Sequence, residues 1–183
     1  MTGGAGFIGS HLSELLLDDG WEVYALDDLS TGAIHNVSHL RERPEFHLVV
    51  DSVLTSSVVS ELVYKCDVVY HLAAAVGVRL IVEQPVHTLV TNVQGTEVVL
   101  DYCNRFGKRV LIASTSEVYG DPQVHPQPET YWGNVNPVGP RGVYDEAKRY
   151  AEAMTMAYHG QQGVDTCIAR IFNTYGPRMR PHD

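Results

Sequence analysis

Glycines at positions 3, 6 and 9, in Thr2-Gly3-Gly4-Ala5-Gly6-Phe7-Ile8-Gly9, constrain this chain more than any other feature. The G-x-x-G-x-x-G spacing suits a tight turn, close approach of backbone to a pyrophosphate, and close helix–strand contact at the last glycine. Leu12, Leu15 and Leu16 recur at helical spacing just after it, so the loop opens a helix whose N-terminus faces the phosphates. Asp27 follows at the end of the next strand-like run. A carboxylate there accepts hydrogen bonds from an adenosine ribose and repels a 2′-phosphate, which favours NAD over NADP. Asp28 is a second candidate for that role. Such a loop normally follows a strand, yet only Met1 and Thr2 precede Gly3. The expectation is a truncated first strand whose neighbours each lose a partner.

β-rich runs at residues 22–27, 46–51, 67–72, 109–113 and 166–172 alternate with helical candidates at 9–19, 56–64, 85–106 and 144–161. The strands are continuous apolar runs, such as Val68-Val69-Tyr70 and Val110-Leu111-Ile112, as in strands buried on both faces. Right-handed crossovers then give an α/β fold with a doubly wound, Rossmann-like parallel sheet, formed by residues 1–183 as one domain. The long helix carries Val86, Leu89, Val90, Val93 and Leu100 at helical spacing. That stripe faces either the sheet or a second copy of the chain in a homodimer. The irregular stretch 119–143 holds Pro122, Pro126, Pro128, Pro137 and Pro140, and a loop of that length between two candidate catalytic motifs reads as functional.

The formal charge of −9 argues against nucleic acid or an anionic membrane as a partner, because both need positive patches. No apolar run is long enough to span a bilayer, and a cytoplasmic location is expected. Cys66, Cys103 and Cys167 are widely spaced within apolar segments and are expected to pack in the core of a protein in a reducing compartment. His35 and His39 stand at i, i+4 without a third ligand nearby, so they read as a surface pair and no metal site is expected.

Tyr144 and Lys148, at i and i+4, share one face of a helix. A phenol ionises near pH 10, and a neighbouring ammonium is expected to lower that value toward useful basicity. Upstream, Ser114-Thr115-Ser116-Glu117 directly follows a strand, at the carboxyl end where folds of this type place ligands. Taken with the glycine loop, Asp27, His71-Leu72-Ala73-Ala74 and Asn92, these motifs resemble the extended short-chain dehydrogenases/reductases that act on nucleotide sugars. The segments 114–122, 131–133, 136–141, 144–146 and 170–179 are similar to the UDP-glucuronate decarboxylase branch of that family.

The resemblance implies a set of roles. Tyr144 would be the base at the sugar 4-hydroxyl, Thr115 would hydrogen-bond that oxygen, and Lys148 would support the tyrosine, with Glu117 as the acidic residue of the active site. Gly3, Gly6, Phe7, Ile8, Gly9, Asp27, Asp51, Ala73 and Asn92, with Tyr144 and Lys148, would contact NAD. Ser116, Glu117, Asn173 and Arg178 would contact the substrate, Asn173 at its diphosphate. Ser116 stands where dehydratase relatives carry an aspartate, a better proton donor for eliminating water, so the substitution favours decarboxylation of UDP-glucuronate. Against this, residues 73–78 look more like an epimerase or a 4,6-dehydratase. The family's smaller C-terminal substrate domain is absent from these residues, so the chain reads as a fragment of a longer architecture. A non-catalytic dinucleotide-binding remnant is therefore a third reading.

Overall fold

The β-branched and apolar runs form five parallel strands in a computed structural model that describes residues 1–180. They are β1 (Val23–Asp27), β2 (Phe46–Val50), β3 (Val68–His71), β4 (Arg109–Thr115) and β5 (Thr166–Ile171). The helices are α1 (Phe7–Asp18), α2 (Ser56–Lys65), α3 (Val78–Glu83), α4 (Pro85–Phe106) and α5 (Gly142–Gln162). Local chemistry sets their ends. Pro85 opens α4, where its missing N–H costs nothing, and Gly107 and Gly163 close α4 and α5 in the left-handed region at φ 61° and 72°. The short α3 is absent from the sequence reading because a single turn and a half shows no usable periodicity.

Strands pair in the order β2-β1 and β3-β4-β5, all in parallel register. The expected loss of the central partner is only partial. Thr2 bridges Leu26 on one side and His71 on the other, both in parallel. Its N–H donates to the Tyr70 carbonyl at 2.9 Å, its own carbonyl accepts from Leu72 N–H at 3.2 Å, and Leu26 N–H donates to Met1 O at 2.8 Å. Two residues thus join the half-sheets into the order β2-β1-(Met1-Thr2)-β3-β4-β5. Below Met1 a cavity of about 140 Å³ opens between Val23 and Tyr24 on one strand and Val68 and Tyr70 on the next.

Each face of the sheet has its own core. On one, Ala5 and Leu17 pack with Val23, Ala25, Val37, Leu40 and Phe46. On the other, α2, α4 and α5 bury Val59, Val63, Val99, Leu100, Cys103 and Ala151 against Val69, Val110 and Ile112. Helices on both faces make the sheet doubly wound. No helix among the described residues is long and apolar enough to cross a membrane.

The two apolar stripes turn only in part to the sheet, Leu16 and Leu100 packing inward. The buried side of α1 is Gly9, Ser10, Ser13 and Leu17, while Leu15 is 58% exposed. Small residues take the start of that face, where α1 lies close on the sheet, and Leu17 fills the space farther along the helix. In α4 the sheet side is Thr88, Asn92, Gly95, Thr96, Val99, Leu100 and Cys103, and Val86, Leu89 and Val90 point outward. Cys103 is buried as expected, but Cys66 is half-buried and Cys167 exposed on β5.

Candidate active site

The glycine loop is held in shape by backbone sterics. Gly3 adopts φ 71°, and a Cβ added to Gly9 would run into the Gly3 carbonyl oxygen. Alanine at either position therefore cannot be accommodated without moving backbone. Gly6 caps α1 with no side-chain hydrogen bond, and the first i→i−4 bond of the helix is Ser10 N–H to Gly6 O at 3.0 Å. The N–H groups of Phe7, Ile8 and Gly9 are the helix's orphan donors, and all three residues line the main cavity. No acid occupies the first turn of α1 to compete with a phosphate.

Asp27 stands at the carboxyl end of β1 and lines the same cavity. Its two oxygens accept from Ala5 N–H and Leu29 N–H, both at 2.9 Å, so it anchors the glycine loop as well as facing the ligand space. Burial pushes its carboxyl up from the ordinary range, opposed by those two backbone donors. Its tie to Ala5 was not legible in the sequence. Asp51 also lines the cavity, its Oδ1 engaged by Thr55 Oγ1 at 2.6 Å, a bond that holds its carboxyl below the usual range.

At the other end of this cavity, of about 410 Å³, lie Thr115, Glu117, Tyr144 and Lys148. Thr115 ends β4, and its Oγ1 accepts from Glu117 N–H at 3.3 Å as the chain turns. Tyr144 and Lys148 come from the first two turns of α5. The phenol, the ammonium and the glycine loop therefore share one crevice, as the motif spacing required. Ala73 and Asn173 line it too.

The electrostatics differ from expectation. Lys148 does not lower the phenol. Its Nζ lies 6.0 Å from the centre of the Tyr144 ring and donates to the Ala113 carbonyl at 2.8 Å. Burial pushes Tyr144 up to about 12, and the Glu117 carboxylate adds to the rise, while Thr115 and Arg141 oppose it. Burial likewise pushes Lys148 down to about 8. Desolvation disfavours charge on both groups and is the leading cause of both shifts.

Three further expected contacts fall outside the cavity. Ser116 does not line it, although its neighbours Thr115 and Glu117 do. Asn92 is buried and holds Ala75 instead, accepting from its N–H at 2.7 Å and donating to its carbonyl at 3.2 Å. It thereby shapes residues 73–77, which line the cavity, without reaching it. Arg178 turns away, donating to Glu14 of α1 at 2.7 Å, because that carboxylate offers it a charged acceptor beside His39. His39 Nε2 lies 3.4 Å from Glu14 Oε1, and among the described residues no group of three ligands could hold a metal.

Two features were missed in the sequence. Ser114 Oγ donates to Glu152 at 2.6 Å, and Arg170 clamps the same carboxylate at 2.9 and 2.7 Å while reaching the Tyr119 hydroxyl at 2.8 Å. This network fixes the end of β4 and the start of the long loop against α5 and β5. Burial raises the Glu152 carboxyl, but Arg170 and Ser114 more than compensate and hold it low. The second feature is Arg141, which lines the cavity and donates to Glu117 Oε2 at 2.8 Å. Only the contact map joins residues so distant in sequence.

The chain matches the family described as GDP-mannose 4,6 dehydratase over residues 1–182. It is 50% identical over its whole length to UDP-glucuronic acid decarboxylase 1 of Xenopus tropicalis, covering 42% of that protein. It is also 50% identical over 179 residues to UDP-glucuronic acid decarboxylase 1 of Arabidopsis thaliana, covering 98% of this chain and 40% of the relative. The chain thus spans about two-fifths of the length of these curated relatives. Among solved structures it superposes on a dTDP-glucose 4,6-dehydratase from Streptomyces venezuelae, solved with NAD bound, with a TM-score of 0.90 and 31% identity. That match covers 100% of this chain and 57% of the other. A UDP-galactose 4-epimerase gives 0.86 and 38%, over 98% of this chain and 57% of the other.

Proposed function

Since the chain belongs to the GDP-mannose 4,6-dehydratase family, we propose that it carries the dinucleotide-binding and catalytic part of an NAD-dependent nucleotide-sugar enzyme, and that its substrate is UDP-glucuronate. The observation that carries the choice of substrate is the 50% identity to UDP-glucuronic acid decarboxylases along the entire chain, against 31% and 38% to the dehydratase and the epimerase.

The residues fit the cofactor. The orphan N–H groups of Phe7, Ile8 and Gly9 would hold the pyrophosphate, and Asp27 the adenosine ribose. NAD, when bound, supplies a hydride acceptor that later returns the hydride. Tyr144 takes the proton of the sugar 4-hydroxyl, Thr115 holds that oxygen, and Lys148 supports the tyrosine from behind. Oxidation at C4 leaves a β-keto acid. The C5–C6 bond then breaks, its electron pair passes into the C4 enolate, carbon dioxide leaves, and C5 takes up a proton from solvent. Tyr144 would give its proton back to the C4 oxygen as the ketone is reduced, leaving UDP-xylose.

The outward row of Val86, Leu89 and Val90 on α4 supports a homodimer as part of this reading. The test is incubation of the chain with UDP-glucuronate and NAD. Release of carbon dioxide and UDP-xylose supports the proposal. A 4-epimer or a dehydrated 4-keto product would favour the epimerase or dehydratase readings. NAD binding without any turnover would favour the non-catalytic remnant.

Asp27→Ala is expected to weaken NAD binding by about tenfold or more, the largest loss for a single change in the loop region, measured by calorimetry. The substitution removes a ribose acceptor and frees Ala5 N–H, the contact that positions the glycine loop. Unchanged affinity would contradict the assignment.

A further inference from the structure

We propose that Arg141 is the specificity-determining residue for a sugar acid: it takes the carboxylate of the hexuronate in exchange with Glu117. The inference rests on the nucleotide-sugar reading above. Of the described residues lining the main cavity, Arg141 and Lys148 are the only arginine and lysine. Lys148 is buried and its ammonium is committed to the Ala113 carbonyl. That leaves Arg141 as the cation a sugar carboxylate would meet.

Its position suits the role. Arg141 caps the start of α5, three residues before Tyr144, so the two side chains leave neighbouring points of the same helix face. The carboxylate carbon of a hexuronate, C6, is two bonds from C4, the carbon whose hydroxyl Tyr144 would serve. A group that serves C4 and one that holds the C6 carboxylate must therefore lie side by side.

Its present partner is replaceable. Among the described residues the Arg141 side chain makes one hydrogen bond, Nη2 to Glu117 Oε2 at 2.8 Å. The two side chains are 50% and 32% exposed, so this is a solvated pair of small net worth. Arg141 lines the cavity with guanidinium donors that have no other partner among the described residues, and a guanidinium fork matches a carboxylate in bidentate geometry. An incoming carboxylate would restore the charge balance that Glu117 provides now.

Retaining Glu117 beside the site also limits the hold. A cation that gripped the carboxylate tightly would stabilise a charge that vanishes as carbon dioxide leaves, and so slow the step. Competition from the displaced Glu117 for the guanidinium keeps that hold weak while the C5–C6 bond is oriented.

The test is calorimetry on the NAD-saturated protein with UDP-glucuronate, and with UDP-glucose as the neutral control. The native chain is expected to prefer UDP-glucuronate by at least about tenfold. Arg141→Gln should abolish the preference and leave UDP-glucose affinity within about twofold, and Arg141→Lys should keep part of it. Glu117→Gln should enlarge the preference, because it frees Arg141 and removes a repelling carboxylate. A preference that survives Arg141→Gln, or an equal loss for both sugars, would overturn the assignment of Arg141 alone. If the native chain takes up NAD and binds neither UDP-sugar, the nucleotide-sugar reading fails and this inference falls with it.

Discussion

Tyr144→Phe is expected to lower turnover of UDP-glucuronate by about 10²–10⁴-fold while changing NAD affinity far less. The substitution removes one oxygen from a residue that lines the cavity with Thr115 and Lys148, and leaves the ring that packs there. The proton of the sugar hydroxyl then has no acceptor in reach. The same residue sets the pH dependence. Burial holds the phenol up at about 12, so at neutral pH only a minute fraction is phenolate. A base acts in its deprotonated form, and the rate is therefore expected to climb with pH. No plateau is expected near neutral pH, because the phenol stays largely protonated well above it. A pH–rate profile for the native chain, and single-turnover absorbance at the NADH band for Tyr144→Phe, check both parts. Turnover undiminished by the substitution would remove Tyr144 from the chemistry.

Acid is expected to destabilise the native chain much more than it destabilises His71→Gln. His71 is buried at the end of β3, its Nδ1 at 2.8 Å from Thr2 Oγ1 and its Nε2 at 3.2 Å from Thr96 Oγ1. It thus pins the Met1-Thr2 segment to α4. Burial first, then repulsion by Lys148 and the Met1 ammonium, pushes the imidazole down to about 3. The folded value lies below the unfolded one, so as the pH falls the unfolded chain takes up the proton first. The stability that this neutral histidine contributes is complete above about pH 6.5 and is lost as pH falls toward 3. The slope is about 1.4 kcal/mol per pH unit, or roughly 3 kcal/mol by pH 4.

The glutamine of the variant would carry no charge over this range. At pH 7 the His71→Gln chain is expected to be less stable by about 1–2 kcal/mol, through weaker hydrogen bonding to the two threonines. Near pH 4 it should equal or exceed the native chain. Urea midpoints at pH 4, 5, 6 and 7 for both proteins give the comparison directly, because the other titrating groups are common to both. Parallel curves would show that His71 is not the buried, neutral group described here.

The alternation of apolar strands with amphipathic helices was enough to give the parallel, doubly wound sheet, because burial on both faces leaves a continuous apolar run that the chain itself displays. The glycine loop, Asp27 and the Tyr144–Lys148 spacing were legible for a similar reason. Each is fixed by local geometry, in which a turn without Cβ atoms or a single helical turn brings the required groups together. Side-chain direction was not legible. The leucines of α1 look like its buried face, yet Leu15 is exposed and Ser10 and Ser13 are buried beside Leu17, since only the distance between helix and sheet decides which volume fits. The phenol's ionisation was likewise decided by tertiary structure, because desolvation depends on everything packed around the oxygen and a spacing of four residues encodes only one neighbour. The pairing of Arg141 with Glu117 and of Arg170 with Glu152 joins elements far apart in the chain. Such contacts exist only once the strands are laid side by side, and they settle how the cavity is charged and held in shape.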